Sequence, residues 1–444
     1  MSRFTLVGSE NYSATVVALK ELRPIPKADK IQQAIIFGNS VIVGADAKIG
    51  DIGLFFPVEV AISPAFLGAN NLYRKPEYGN ANLGLPGGFF EQHGRVRAMK
   101  MRGVISEGFF APIGLLGNVD GVTSLPEIGC SFDAVDGVEM CRKYVPYRQA
   151  RTGAARPGQP RQSRPEDMIL PNQFRFHFDT KNLRRNVDSI TPHDTVSITE
   201  KFHGTSVVIA NLPVARKMSL VDRLARFFGA SVAQSEFGLI WSSRRVVKSA
   251  GSWTVRSKDH HYKEDVWATV AKRIQSAIPP GYSVYGEIVG YTPSGTAIQS
   301  MGGHPFSYGC EPGKCALYVY RVTSTAADGT VLELSWPQVR RFCADRGLTT
   351  VPDVHYGPAS AITPDHEVTD DEWRNDFMSI LELFVQDKMC ARNSNMVPLE
   401  GLVVRVEDPA GIRTYKLKNF LFLSGESKQA DEGVVDIESE EGVA

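Results

Sequence analysis

Between Ala34 and Val43 the chain runs Ala-Ile-Ile-Phe, then Gly38-Asn39, then Ser-Val-Ile-Val. Two apolar runs around a two-residue break predict a β-hairpin, and Gly at the first turn position suits a type II′ turn. Leu54-Phe55-Phe56 before Pro57 predicts another short strand. From Arg95 to Arg102 basic and apolar residues alternate, as on a strand with cations on one face and a core on the other; a bulge absorbs the one change of phase. The pattern changes in the second half. Val221, Leu224, Ala225 and Phe228 recur at helical spacing, with Asp222, Arg223 and Arg226 opposite. Residues 336–346, with Ser335 as N-cap and Pro337 in the first turn, and 371–388 predict two further helices.

Several short strands in the first 147 residues, one carrying Arg95, Arg97, Lys100 and Arg102, predict a small closed barrel of the OB type. Those four cations are its candidate nucleic-acid contacts. Leu22 to Ile31 is similar to a stretch of OB modules that bind tRNA. The mixture of helices and strands from residue 167 onward predicts an α+β domain.

Charge sharpens the division. Lys plus Arg and Asp plus Glu are 49 each over 444 residues, so only their distribution is informative. Residues 148–165 hold five arginines and no acid among Pro, Gly, Gln and Ser, and residues 431–441 hold six acids and no base. The expected organisation is an OB module (1–147), an Arg/Pro/Gly-rich linker (148–166), the α+β domain (167–430) and an acidic tail (431–444). No apolar stretch is long enough to span a membrane and no apolar leader follows Met1, so a cytoplasmic protein is expected. Six cysteines without a C-x-x-C pair argue against structural zinc, and in a chain this long against a disulfide framework; reduced, buried or incidental thiols are expected.

Five segments carry chemistry. Glu200-Lys201-Phe202-His203-Gly204 ends one predicted strand and turns into the apolar run Val207–Ala210, a hairpin presenting a lysine at a cleft. A lysine amine attacks phosphorus only when deprotonated, which neighbouring cations, a metal ion or desolvation promote. Ser243-Arg244-Arg245 offers cations for a ribose or phosphate. Glu287 lies inside the predicted strand Val284–Gly290, where an unpaired carboxylate is costly. Tyr318 and Tyr320 share a strand face, a platform for base stacking. Glu400-Gly401 precedes a strand, and Lys416 and Lys418 lie side by side on one face of another.

In this order the segments resemble the core of the covalent nucleotidyltransferases: ATP-dependent DNA ligases, RNA ligases and capping enzymes. Lys201 to Gly204 is similar to their K-x-D-G motif, with His203 where most members carry Asp. Only 26 residues follow Lys418, too few for the C-terminal OB domain of DNA ligases and capping enzymes. A leading OB module, together with Phe174–Thr180, resembles an RNA ligase family built in that order.

The resemblance implies an N-terminal OB-fold barrel followed by a nucleotidyltransferase domain of antiparallel sheets and helices, and an ATP-dependent RNA ligase. By resemblance Lys201 takes AMP from ATP with Mg2+ or Mn2+, passes it to a 5′-phosphate, and a 3′-hydroxyl displaces it. Glu200, His203, Gly204, Arg244, Glu287, Tyr318, Tyr320, Lys416 and Lys418 are the implied nucleotide contacts, with Glu400 and Glu287 at the metal. The implied partner is RNA or a nicked RNA-containing duplex with a ribonucleotide 3′ end, in a role such as RNA repair, with the ligase acting as a monomer. Two rival readings are a non-catalytic RNA-binding protein with a degenerate nucleotidyltransferase domain, and a guanylyltransferase.

Overall fold

The computed structural model describes residues 3–146, 164–254, 262, 264–363, 370–408 and 411–434. Most of the arginine-rich linker and of the acidic tail therefore lies outside the described residues. The chain divides into two compact units, and neither is the single stretch expected. Residues 1–146 are joined by 181–189 and 417–434, while 147–180, 190–416 and 435–444 make up the other.

The first unit is β-rich. Its central sheet uses β1 (Ala14–Ala18), β4 (Ile52–Pro57), β5 (Gly108–Pro112) and β6 (Ser131–Phe132), all antiparallel, in the order β5-β4-β1-β6. Leu22–Pro24, β2 (Ile31–Ile36) and β3 (Asn39–Gly44) form a meander. Alternate residues Ala34, Ile36, Val41 and Val43 point inward, where they meet Phe55 and Phe110.

The expected hairpin forms, with its turn shifted by one residue. Phe37 and Gly38 both have positive φ, 50° and 70°, and Ile36 pairs with Asn39. This is the type I′ pattern, whose twist matches that of paired strands. Phe37 accepts a conformation unusual for its type because its ring meets Phe55 edge-on at 5.9 Å and underlies the Arg185 guanidinium.

The basic–apolar alternation at 95–102 yields only the short strand Met99–Met101. Arg95 is not on an exposed cationic face. Its side chain is buried; Nη1 donates to the Ser427 carbonyl at 3.0 Å and lies 3.6 Å from Asp431. Arg97 pairs with Asp431 at 3.2 Å. Lys100 and Arg102 are exposed, as expected.

The second unit holds two antiparallel systems. One contains β7 (Thr195–Lys201), β13 (Asp353–Pro358), β14 (Gly401–Val406) and β15 (Arg413–Lys418), in the order β15-β14-β7-β13. The other is larger: β10 (Val247–Ala250), β9 (Ser235–Ser242), β8 (Thr205–Ala215), β11 (Tyr282–Gly290) and β12 (Cys315–Thr325) are successive neighbours. Lys201 therefore does not end one arm of a hairpin. The short turn 202–204 carries the chain from one sheet to the other, so the lysine stands where they diverge.

Between β8 and β9 lies helix α1 (Leu220–Phe227). Asp222 accepts from the backbone and hydroxyl of Ser219 and pairs with Arg216, which fixes its start. The helix forms where expected, yet its apolar face is not buried: Val221, Leu224 and Phe228 are all more than half exposed. It sits in the connector between two strands rather than over a sheet. Helices α2 (Val266–Ile274) and α3 (Trp336–Ala344) supply the real cover, burying Trp267, Val270, Trp336 and Val339 against Val207, Ile209, Val284 and Val322. The expected third helix is α4 (Asp370–Val385).

The chain then returns to the first unit. Helix α5 (Phe420–Asp431) buries Phe420 and Leu423 against Ala98, with Val58 and Ile105 alongside. Asp431 thus belongs to a packed helix rather than to a solvated tail. Among the described residues, no helix is long and apolar enough to cross a membrane.

Candidate active site

The β7–β14 ladder pairs Lys201 with Gly401, which brings the residue before Gly401 beside the lysine. Lys201 Nζ lies 2.6 Å from Glu400 Oε1. Glu400 is only 3% exposed, and its second oxygen, Oε2, is buried with no hydrogen-bond partner among the described residues. A buried carboxylate oxygen left in that state is costly unless something cationic or hydrogen-donating meets it.

Gly204 closes the turn against β11. Its N–H donates to Glu287 Oε1 at 3.1 Å, and the Ser206 hydroxyl donates to Glu287 Oε2 at 3.3 Å. The carboxylate inside the strand is therefore held by the chain segment that follows the lysine. A Cβ on Gly204 would stand 2.3 Å from the Ile288 carbonyl oxygen, so the close approach requires glycine here.

A cavity of about 140 Å³ opens beside this pair. Glu200, Lys201, Phe202, Ser206, Arg244 and Glu287 line one part, and Tyr320, Val403 and Thr414 stand elsewhere on its wall. Of the two tyrosines, Tyr320 lines the cavity, and its hydroxyl lies 2.9 Å from His177 Nδ1. Tyr318 does not; it packs edge-on against Phe202 with ring centroids 4.7 Å apart. Burial pushes the Tyr318 hydroxyl above the usual tyrosine range.

Arg244 pairs with Asp179, and Arg245 lies 3.5 Å from the same carboxylate. Burial raises the Asp179 carboxyl, but Arg244, Arg245 and Lys416 outweigh it and hold the group below the ordinary value. Lys416 therefore acts on the same carboxylate as the two arginines. Lys418 shares its strand face but lies off the cavity wall: its Nζ is held by Glu426 at 2.8 Å and Glu59 at 3.6 Å, over the Phe422 ring. Burial raises the Glu200 carboxyl, with Arg392 at 3.7 Å opposing the shift.

His203 stands in the turn after Lys201. Its ring meets Phe306 edge-on at 4.8 Å, and its backbone N–H donates to the Tyr308 hydroxyl at 2.8 Å. Tyr308 is the residue the sequence pattern misses. It stacks on Phe202 at 4.3 Å, and its own N–H donates to Asn393 Oδ1 at 2.7 Å. Burial, reinforced by Glu400, pushes its hydroxyl well above the ordinary tyrosine range, so it stays protonated. Trp336, Val351 and Arg405 also line the cavity without having been singled out. Arg405 could have been: it ends the run that starts at Glu400.

Among the described residues no group of three or more His, Cys, Asp or Glu could hold a metal ion alone. The donor set fits a cation completed by a ligand or water. Glu400 Oε2 supplies a free carboxylate oxygen, whereas both Glu287 oxygens already accept hydrogen bonds.

A family model described as RNA ligase matches residues 194–418, half of the chain. This chain belongs to the RNA ligase family. A second model, described as an OB-fold domain, matches residues 13–113 and so identifies the first unit's barrel. No curated protein sequence matches this RNA ligase.

Solved structures share the fold at low identity. A Naegleria gruberi RNA ligase mutant with AMP and Mn superposes with a TM-score of 0.55 at 16% identity, covering 94% of this chain and 98% of its own. Another mutant of that ligase, with ATP and Mn, gives 0.53 at 15% identity over 92% and 98%. An apo mutant gives 0.56 at 14% identity over 96% and 100%. The shared order is an OB-fold domain followed by the ligase domain.

Proposed function

We propose that this RNA ligase is ATP-dependent and seals 3′-hydroxyl/5′-phosphate breaks through a lysyl-AMP intermediate on Lys201. The observation that carries the reading is the Lys201–Glu400 contact at the wall of a cavity that also holds Glu287 and Arg244. The ATP and Mn bound by the Naegleria ligase support the choice of nucleotide and ion.

Lys201 must lose a proton before it attacks, and Glu400 Oε1, 2.6 Å away, is positioned to receive it. The Nζ lone pair then forms a bond to the α-phosphorus of ATP, the α–β phosphate bond breaks, and pyrophosphate leaves with the electron pair. An oxygen of an RNA 5′-phosphate next attacks the AMP phosphorus and breaks the phosphorus–nitrogen bond. Finally a 3′-hydroxyl attacks the activated 5′-phosphate and AMP departs. Each step moves charge more than it makes new contacts, so positioning and electrostatics carry the catalysis.

Within this scheme Glu287 holds the ribose, Arg244 the ribose or phosphate, and Lys416 the phosphates. Tyr320 with Val403 flanks the base. Tyr318 supports it through Phe202, while Glu200 borders it. Gly204 and His203 shape the turn beneath the nucleotide. A divalent ion, Mg2+ or Mn2+, held by Glu400 would neutralise phosphate charge and favour the unprotonated lysine. Lys418 is the second proposed phosphate contact.

The proposed substrate is RNA or a nicked RNA-containing duplex with a ribonucleotide at the 3′ end. Lys100 and Arg102 are the barrel cations exposed for it.

The deciding experiment incubates wild type and Lys201→Ala with α-labelled ATP or GTP and Mg2+ or Mn2+, then denatures the chain. Label from ATP on wild type alone is the expected result. Label from GTP instead favours a guanylyltransferase, and no label from either nucleotide favours the non-catalytic RNA-binding reading.

A further inference from the structure

Residues 310–315 read Cys-Glu-Pro-Gly-Lys-Cys. The Lys314 N–H donates to the Glu311 carbonyl at 2.9 Å and Gly313 has φ +81°. With Pro312 before it, this is the arrangement of a type II β-turn. Such a turn lays the two residues just outside it, Cys310 and Cys315, next to one another.

The neighbouring strand brings both cysteines to one glycine. Cys315 pairs with Gly290 across the β11–β12 ladder. Gly290 itself has a left-handed backbone, with φ +96°. A Cβ on Gly290 would stand 2.8 Å from Cys310 Cβ and 2.9 Å from its Sγ. Cys310 therefore fills the space left open by the glycine that pairs with Cys315. A disulfide needs Cβ atoms roughly 3.5–4.5 Å apart. Closure brings them to that separation by side-chain rotation and movement of the turn. Arg273 adds a cation: its Nη1 donates to the Cys315 carbonyl at 3.0 Å, and its charge favours the thiolate of both residues.

We propose that Cys310 and Cys315 are a redox-active dithiol that reacts with a disulfide-class oxidant such as oxidised glutathione and closes to an intramolecular disulfide. One thiolate attacks a sulfur of the oxidant, forming a mixed disulfide and expelling one glutathione thiolate. The second cysteine attacks the protein sulfur of that bond and expels the other glutathione. Two cysteine thiols are oxidised, one glutathione disulfide is reduced to two thiols, and the two thiol protons pass to the leaving thiolates. Burial raises both thiols above the ordinary value, so closure accelerates as the solution becomes more alkaline.

The dithiol is joined to the cavity at both ends. Cys315 begins the strand carrying Tyr318 and Tyr320. Cys310 N–H donates to the Ser307 carbonyl at 2.9 Å, next to Tyr308, whose hydroxyl holds the His203 amide. Closure draws this loop toward β12 and loosens Tyr308 from the turn after Lys201. The functional consequence rests on the ligase reading: the oxidised protein takes AMP several-fold more slowly, and dithiothreitol restores the rate.

The full-length chain is treated with oxidised glutathione at mildly alkaline pH, alkylated after denaturation and mapped by mass. The expected result is a single peptide cross-link between Cys310 and Cys315, lost in both Cys310→Ser and Cys315→Ser. Alkylation of both residues after treatment, or a glutathione adduct that never closes, overturns the dithiol. An unchanged self-adenylylation rate in the cross-linked protein overturns its coupling to the site. If the reduced protein takes no label from ATP, the ligase reading fails, and the mass map still decides the dithiol.

Discussion

Lys201 and Glu400 face each other because they occupy almost opposite positions on paired strands, Lys201 across from Gly401 and Glu400 one residue earlier. The ladder brings their backbones side by side, and Glu400, just before its strand begins, meets Lys201 at 2.6 Å. A one-residue slip would send the lysine to the other face of the sheet.

Glu400→Gln keeps the shape but removes the charge beside the lysine and the candidate metal oxygen. Self-adenylylation is expected to fall by about 10²-fold, the scale for loss of one positioned electrostatic group. Raising Mn2+ should recover little of it. Single-turnover labelling with α-labelled ATP measures the effect, and a rate within twofold of wild type, roughly 0.4 kcal/mol, would remove Glu400 from the chemistry.

Gly204→Ala puts a methyl group 2.3 Å from the Ile288 carbonyl and 3.0 Å from Glu287 Cγ. The strain is expected to cost roughly 1–3 kcal/mol, and Glu287 must shift with it. Urea unfolding should show the loss, together with weaker nucleotide binding. Wild-type stability with wild-type binding would show that the turn relaxes freely.

Arg95→Ala tests whether this arginine serves structure or RNA. It leaves the α5 carbonyl of Ser427 without its charged donor and Asp431 without one of its cations. About 2 kcal/mol of stability should disappear, in line with hydrogen bonds to a charged group. The salt dependence of RNA binding should keep its slope, whereas Lys100→Ala should lower that slope if Lys100 meets a phosphate. A reduced slope in Arg95→Ala would reverse this assignment.

Asp179 gives a pH prediction of definite sign. Its carboxyl is held below the ordinary value of 3.8 by Arg244, Arg245 and Lys416 against the opposing effect of burial. A carboxylate depressed in the folded state contributes its full stabilisation above the unfolded value and loses it as pH falls through the folded one. Wild type should therefore lose stability below about pH 4 more steeply than Asp179→Asn. Acid-unfolding curves that run parallel for the two proteins would show that the pairing adds nothing.

What the sequence revealed of this protein followed physical range. Lys201, Glu287 and Glu400 stand in short contiguous patterns whose chemistry survives any packing; Lys201 and Glu287 line one cavity, and the ladder brings Glu400 against the lysine. Tyr308 was invisible because it reaches the turn after Lys201 from a loop about a hundred residues away, with no periodicity to mark it. Arg95 misled for a related reason. Basic–apolar alternation shows which residues share a face, but not whether a distant helix covers that face. The apolar spacing of 221–228 correctly predicted a helix and wrongly implied burial, since amphipathicity describes the helix and not its neighbours.

The return of residues 417–434 to the first unit has a consequence for how the chain acquires its structure during synthesis. The barrel strands leave the ribosome first, but the helix that packs on Ala98 and receives Arg95 is made nearly three hundred residues later. Until then a buried-to-be arginine and an apolar seam stand open, while the whole catalytic unit is being translated. The barrel can begin early and finish only last. A truncation that keeps residues 1–146 alone should therefore behave as a nascent intermediate, soluble only if something else covers that seam, whereas supplying 417–434 as a separate peptide should restore it.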